Sequence, residues 1–415
     1  MNQSTAVLAN KRRSRGGCSQ STTEHTGMHE TRYDWLADRW VIFAPNREER
    51  PNEFKSVGCV ASPSEIHNPS CPFCKGFEHS TPSPTLVLPH IDLESSRPLH
   101  REGYAEDRET LPSWLVRVVP NKFPAMAGNS GLAPRAKPMD PISMRSAPYG
   151  RAEFESESEV QTESSVAVVG DVSHLFRSEH PSGCHEVVIE SPNHVASLAS
   201  MPTEHIELVL EAYRKRLLHW RSHTNIQFAV VFKNFGADAG ASLSHTHSQI
   251  ICLDFVPSDV QRTHQRLVKH HEEYGACYIC QVMHEEVRHR DRIVMETEHF
   301  VVICPFASRF PFAFSIIPRR HRPHFEDTSA AELLDLATVL KSSLSALERA
   351  QPEAAYNYVL QSSPFHQFDD EAHHWRLRVI PRLSKVAGFE WGSDCFINTI
   401  KPEVAAQILR EHLRP

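Results

Sequence analysis

No apolar run in the chain approaches the roughly 18 to 20 residues that a membrane-crossing helix needs, and the N-terminal stretch lacks the apolar segment of a secretory signal. These absences argue against a membrane partner and make the cytoplasm the expected compartment. Positive charge is not in surplus either: 44 Lys and Arg stand against 51 Asp and Glu, a formal net charge of −7. Without a global basic field there is little to hold a phosphodiester backbone, and bulk nucleic-acid binding is not expected. The balance of 40% hydrophobic and 23% charged residues is that of a globular protein, and 415 residues suffice for one large domain or two to three ordinary ones. The 10 Cys could form disulfides, but four of them make two CxxC pairs, Cys71/Cys74 and Cys277/Cys280, in a chain that also has 27 His. In a reducing compartment that combination reads as metal ligation.

Residues 1–30 hold Ser, Thr, Arg and Gly without periodic apolar pattern and are expected to form a disordered leader. A second irregular stretch, about 125–171, is rich in Pro, Ser, Met and Glu and reads as a solvated insertion. Around it, β-branched and aromatic runs predict strands at 40–43, 114–119, 186–189, 228–232, 248–253, 300–303, 312–317, 356–360 and 375–380. A helix is expected from Thr203, with Ile206, Val209, Leu210, Tyr213, Leu217 and Trp220 on one face. Another should start after Ser329, whose spacing to Glu332 is that of a capping box, and carry Leu333, Leu336, Leu340 and Leu344. A last helix should follow Pro402.

The two halves of the chain, 31–260 and 261–415, repeat one another. Each reads CxxC, a strand leading to a His (His194 or His321), a helix, a further strand, and a closing strand headed by His245 or His374. The separations nearly match, 51 residues from His194 to His245 and 53 from His321 to His374. A repeat of this length marks a duplicated unit whose copies pack together. Tetrahedral zinc takes four soft nitrogen and sulfur ligands, and each half supplies such a set: Cys71, Cys74, His194 and His245 in the first, Cys277, Cys280, His321 and His374 in the second. Closed four-ligand sites predict two structural zinc ions per chain. An isolated CxxC would as readily be a pair of ordinary buried thiols, and it is the recurrence at matched spacing that favours metal.

The segment from Asn234 to Gln249 carries the densest chemical information. On a strand His245, His247 and Gln249 project to one side, so one His can be tied to metal while the next reaches a substrate. The Gly and Ser residues before them, Gly240 and Ser242 among them, could cradle a phosphate with backbone N–H groups. A histidine that attacks phosphorus must be neutral at the attacking nitrogen, and a carbonyl accepting from the other nitrogen would fix that tautomer. Gln249 could then donate an amide N–H to a phosphoryl oxygen as charge develops. The plainer reading is two solvated histidines in a Gly-rich hairpin.

Arg32-Tyr33 with Trp40-Val41, Asn46-Arg47-Glu48-Glu49-Arg50-Pro51, Cys71/Cys74, Val119-Pro120-Asn121-Lys122-Phe123-Pro124, Ser191-Pro192-Asn193-His194 and His245-Thr246-His247-Ser248-Gln249 occur in this order. Together they resemble the galactose-1-phosphate uridylyltransferase family of the histidine-triad superfamily, from about residue 31 to 413 apart from the insertion. The resemblance implies an α+β fold of two histidine-triad-like halves, each an antiparallel sheet with a packed helix. It further implies ping-pong transfer of a nucleoside monophosphate through a covalent histidine, which falls on His247. Nucleotide contacts would fall at Arg47, Arg50, Asn121, Phe123, Asn234, Gly240, Ser242 and Gln249. A homodimer is implied too, in which Phe389 and Glu390 occupy the place where a subunit lends sugar contacts to its neighbour.

Three departures from the family's common form stand out. Thr246 and Ser248 replace a Pro and a Gly; Gln361, Arg378 and Ile380 replace the three His of its usual second metal site; and Lys122 replaces an Asp. These features, with the Ala387–Ser393 segment, are more similar to the ADP-glucose phosphorylase branch. Arg376 stands in the place corresponding to His247, so the second half is expected to be non-catalytic. The expected function is therefore nucleotidyl transfer from a nucleoside-diphosphate hexose of the UDP-glucose type to a hexose-1-phosphate, with ADP-glucose phosphorolysis, where the acceptor is inorganic phosphate, as the alternative. A histidine-triad hydrolase and a non-catalytic zinc-stabilised nucleotide-binding scaffold are the remaining rivals.

Overall fold

The computed structural model describes residues 29–45, 68, 70–89, 114–126, 182–352, 354–366 and 371–413. Almost all of the expected leader and insertion, together with Arg47 and Arg50, lie outside the described residues.

Ten strands form one sheet: β3 (Leu86–Leu88), β4 (Val116–Pro120), β5 (Gly183–Ile189), β6 (Phe228–Phe235), β7 (His247–Leu253), β8 (Ile293–Glu296), β9 (Phe300–Ile303), β10 (Phe314–Pro318), β11 (Tyr356–Gln361) and β12 (Arg376–Pro381). Their spatial order is β3-β4-β5-β7-β6-β11-β12-β10-β9-β8, with every neighbouring pair antiparallel. The order reads the same from either end: β3, β4, β5, β7 and β6 of the first half match β8, β9, β10, β12 and β11 of the second. The halves meet where β6 pairs with β11, Phe235 opposite Tyr356 and Asn234 opposite Asn357. A small sheet of β1 (Glu30–Asp34), β2 (Arg39–Phe43) and β13 (Phe396–Asn398) holds the remaining strands among the described residues. The buried Arg32, paired with Glu30 on its own strand, fixes it to the main body through Glu403 and the backbone oxygen of Phe306.

One side of the large sheet is covered by α1 (Thr203–Arg221) and α4 (Ala330–Ala350), against which α6 (Pro402–Glu411) also packs. All six apolar positions anticipated on α1 and all four on α4 are buried. Each such side chain contributes about 1.5–3 kcal/mol by leaving water. α4 begins with the capping box expected from Ser329 and Glu332: each side chain accepts the other's backbone N–H. The sheet and its helices share one apolar core that includes Val188, Ile250 and Tyr213 from the first half and Phe314, Leu340 and Trp375 from the second.

Two helices lie where no helical pattern was expected, α2 (Ser258–Tyr274) and α3 (Tyr278–His289). The face that α2 buries consists of His264, Leu267 and His270. Histidine does not register in an apolar periodicity, although the packing is real: His270 bonds Gln281 of α3 at 2.7 Å and meets Tyr278 edge-on. A sixth helix, α5 (Gly388–Ser393), is only six residues long and precedes β13.

Candidate active site

Two Cys/His clusters form, with the memberships expected from sequence. Within each, the four donor atoms lie within 4.8 Å of one another. In the first, Nδ1 of His245 is 3.5 Å from the Cys71 sulfur and 3.6 Å from that of Cys74, and Nδ1 of His194 is 3.5 Å from Cys74. In the second, Cys280 lies 3.4 Å from Nδ1 of His321 and 3.3 Å from Nδ1 of His374. Sulfur and nitrogen bound tetrahedrally to zinc sit about 3.5 Å apart, so both sets fit the metal. The first set is held by its surroundings: the Lys75 N–H donates to the Pro192 oxygen, joining the CxxC turn to the segment that bears His194. His245 gives its other ring proton, on Nε2, to the Ser191 carbonyl at 2.9 Å. That bond turns the Nδ1 lone pair toward the thiols, as an outer partner does for a metal-bound imidazole.

β7 opens at His247, two residues past His245. Its register sets His247 opposite Ile189 and Gln249 opposite Val187. Val187 and Ile189 join Trp114, Val119 and Phe73 in an apolar patch on this side of the sheet. Phe73, from the CxxC turn, meets both His245 and His247 edge-on, with ring centroids 5.9 and 5.4 Å away. Nδ1 of His247 lies 2.8 Å from the His245 oxygen. Since a carbonyl can only accept, Nδ1 carries the proton and Nε2 keeps its lone pair. Burial, and then the nearby Lys233 ammonium, hold His247 below the ordinary imidazole range and favour the neutral ring.

Gln249 is oriented by a residue that sequence reasoning missed. Nε2 of His185, on β5, is 2.8 Å from the Gln249 side-chain oxygen, while Nδ1 of His185 accepts the Ala125 N–H at 3.1 Å. The His185 proton therefore sits on Nε2 and is donated to Gln249, whose amide nitrogen has no protein partner among the described residues. The Asn121 amide nitrogen also lies 3.0 Å from that Nε2, but with the ring proton there the Gln249 oxygen is its acceptor; the Asn121 oxygen accepts the Phe123 N–H, so the Asn121-Phe123 turn adjoins Gln249, with Phe123 82% exposed. A sequence signal existed only as alternation along β5, where His185 shares the His247 side of the sheet.

Asn234 and the Gly236–Ser244 loop flank this group. Gly236 (φ 82°) and Gly240 (φ 86°) adopt the left-handed region that glycine tolerates. The N–H groups of Ala239, Gly240 and Ala241 turn inward to the Gly236 and Ala237 carbonyls. Gly240 therefore offers no donor, whereas the N–H groups of Ser242, Leu243 and Ser244, next to the histidines, are among those of the loop without a backbone acceptor among the described residues. Asn357, across the seam, donates to Asn234 and to the Ala239 oxygen, both at 2.8 Å.

The other side of β7 holds charge that nothing in the sequence had flagged. Lys233 and Glu190 are fully buried and paired, and Lys233 also donates to Thr246 Oγ1 at 2.8 Å and to the His247 carbonyl at 2.9 Å. Thr246 bonds Glu190 as well, and Tyr213 donates to Ser248 at 2.6 Å. The two residues that break the family's Pro/Gly pattern thus anchor the strand in a polar network. Burial raises the Glu190 carboxyl, but Lys233 and the hydroxyls outweigh it and keep it ionised. Phe389 and Glu390 sit elsewhere, on α5: Glu390 accepts the Ala387 N–H at its start, and Phe389 and Trp391 are 49% and 79% exposed.

A buried, tautomer-fixed histidine thus lies beside an oriented glutamine on a strand of an antiparallel α+β sheet. A family model described as a domain of unknown function (DUF4921) matches residues 178–414. The ADP-glucose phosphorylase of Arabidopsis thaliana is 33% identical over 403 residues, covering 96% of each chain. The galactose-1-phosphate uridylyltransferase of Thermotoga maritima is 33% identical over 245 residues, 57% of this chain and 76% of that one. Among solved structures, the Arabidopsis thaliana ADP-glucose phosphorylase with bound ADP-glucose superposes with a TM-score of 0.69 at 31% identity, covering 93% of this chain and 99% of the other. The chain belongs to the galactose-1-phosphate uridylyltransferase family, whose members are enzymes that transfer nucleotidyl groups.

Proposed function

We propose that the protein transfers a nucleoside monophosphate from a nucleoside-diphosphate hexose to a phosphate-bearing acceptor in two steps through His247. Nε2 of His247 attacks the α-phosphorus of the nucleotide sugar and sugar 1-phosphate departs, leaving a nucleotidyl-histidine. The acceptor oxygen then attacks the same phosphorus and the imidazole leaves. The fixed tautomer of His247 is the observation that carries this reading. Gln249 donates its free amide N–H to the phosphoryl oxygens, and Ser242 to Ser244 supply backbone N–H groups. Asn121, Phe123, Asn234, Arg47 and Arg50 are assigned to the nucleotide. Zinc, held by both Cys/His sets, supplies rigidity; the first set fixes the strand that bears the nucleophile. Phe389 and Glu390 are assigned to sugar contacts across a homodimer, for which their exposed helix is suited.

For donor and acceptor we favour ADP-glucose and inorganic phosphate, giving glucose-1-phosphate and ADP. The support is the likeness to the ADP-glucose phosphorylase along 96% of both chains, together with Thr246, Ser248 and the second Cys/His set. The second reading is uridylyl transfer to a hexose-1-phosphate, supported by the equal identity to the Thermotoga enzyme over a shorter span. Incubating the protein with ADP-glucose or UDP-glucose, each against phosphate, hexose-1-phosphate or water alone, separates them. Rapid product from ADP-glucose with phosphate supports the first, activity confined to UDP-glucose with a hexose-1-phosphate the second, and release without acceptor a hydrolase.

A further inference from the structure

The second half repeats the geometry of the first with different chemistry. His374, in its Cys/His set, is followed two residues later by Arg376, which opens β12 as His247 opens β7. Two residues further, Arg378 stands where Gln249 stands. Both arginines line a cavity of about 430 Å³ that also receives Arg309. Arg376 donates to Gln361 at 2.9 Å, and none of the three guanidinium groups forms an ion pair among the described residues. The Nε of Arg309 is buried without a hydrogen-bond partner among the described residues.

Three cations so placed are costly. Burial, then the mutual repulsion of the group, pushes Arg309 and Arg378 down to about 10. The rim carboxylates relieve them only in part: the Asp34 charge offsets some of the repulsion at each of the three, but no carboxylate among the described residues forms an ion pair with any of them. Asp34 accepts the Ala37 N–H at 3.1 Å, Asp259 pairs with Arg262 at 3.1 Å, Glu285 with Arg288 at 3.4 Å and Glu286 with Arg292 at 3.0 Å. A second hollow of about 730 Å³ shares Arg39, Asp259 and Arg309 with the first; its other cations are largely paired, Arg39 with Asp394, Arg262 with Asp259 and Arg266 with Asp38, which leaves Arg309 as the guanidinium without a carboxylate partner there among the described residues. In a chain whose net charge is −7, this concentration of unpaired guanidinium is local and enclosed.

We propose that this cavity is a second anion site, separate from His247, which binds the phosphate or diphosphate group of a small metabolite through Arg309, Arg376 and Arg378. Guanidinium groups take phosphoryl oxygens in paired hydrogen bonds, and the enclosed volume is of the size that small ligands occupy. Because an arginine has replaced the nucleophile, the ligand is held and not consumed.

Equilibrium dialysis with labelled pyrophosphate, run beside inorganic phosphate and ADP arms, tests this on the intact chain. Arg376→Met with Arg378→Met should bind one pyrophosphate fewer per chain than the parent protein. The single Arg378→Gln, which leaves more of the packing in place, should weaken that site roughly tenfold, as expected for one charge-assisted contact. Nucleotidyl labelling at His247 should be unchanged in all variants, which separates loss of this site from misfolding or loss of the first. Preference among the three arms identifies whether a lone phosphate, a diphosphate or a whole nucleotide is the better occupant. Equal stoichiometry and affinity in parent and variants would overturn the proposal. So would a parent that binds no extra anion while the variants dissociate from dimer to monomer, since a neighbouring subunit would then be neutralising the arginines.

Discussion

The ring Nδ1 of His247 and the main-chain oxygen of His245 are 2.8 Å apart, so the residue that faces the first pair of cysteines also sets the tautomer of the next histidine on that side of β7. Under the proposed mechanism, incubation with the correct nucleotide sugar and no acceptor should leave a nucleoside monophosphate on the protein, labile in acid and stable in base as a phosphoramidate is. His247→Ala should abolish the label while circular dichroism stays unchanged. A fully active variant would end the argument for a covalent step.

Gln249→Ala should slow transfer by about 10²-fold or more if its amide acts on the phosphoryl oxygens. His185 acts through Gln249, so His185→Ala should lower kcat by roughly tenfold, and the double variant should be no slower than Gln249→Ala alone. Additive losses in that cycle would mean that His185 has an independent role.

Lys233→Met leaves the Glu190 carboxylate buried without its partner and should cost about 3–5 kcal/mol in denaturant unfolding. Because Lys233 also holds the His247 carbonyl, activity should fall at temperatures where the variant is still folded. Replacing Glu190 by Leu in the same chain should restore much of the stability and little of the activity. A loss below about 1 kcal/mol in the single variant would show that the pair is solvated in solution.

The two Cys/His sets should have unequal weight. Cys71→Ser frees the strand end next to His247, and an error of about 1 Å there can cost on the order of 10²-fold in rate. Cys277→Ser, in the half with Arg376 in the nucleophile's place, should chiefly lower Tm. Elemental analysis should find two zinc ions per chain in the parent and one in each variant. Equal activity losses would refute the division.

Glu326, close to Arg221, His324 and Ser362, has its carboxyl raised to about 7 by burial, against an ordinary value of 4.5. A raised carboxyl makes the folded state hold a proton that the unfolded chain has already released, so its contribution to stability is lost as pH rises from about 4.5 through 7. Glu326→Gln should therefore stabilise the protein at pH 8, by up to about 3 kcal/mol, with the gain shrinking toward pH 5. A gain independent of pH would contradict the assignment.

The parts of the fold that could be read in advance share a simple chemistry. α1 and α4 repeat apolar residues at helical spacing, and both Cys/His sets announce themselves by ligand type and separation. β8 and the three-residue strands β3 and β13 are too short or too polar to stand out, and the histidine-rich buried face of α2 is silent to a hydrophobic pattern. At the site, His247 and Gln249 were legible because chemistry and strand alternation agreed. His185, Lys233 and Glu190 were not, since their partners lie 64 and 43 residues away in sequence and only the sheet register brings them together. In the loop, the glycines make the turn, and the turn engages the Gly240 N–H with the Ala237 carbonyl, a bond that the sequence pattern does not disclose.

The seam between β6 and β11 has a consequence for how the chain is made. The first half leaves the ribosome with the eight-residue strand Phe228–Phe235 as an open edge on one side of β7, and its partner strand starts only at Tyr356. At about 5–20 residues per second the intervening 120 residues take on the order of ten seconds to synthesise. Throughout that interval the nascent protein exposes a row of unpaired backbone groups flanked by apolar side chains, which any other strand can capture. Each half is thus the other's edge protection, and the first half must wait for it.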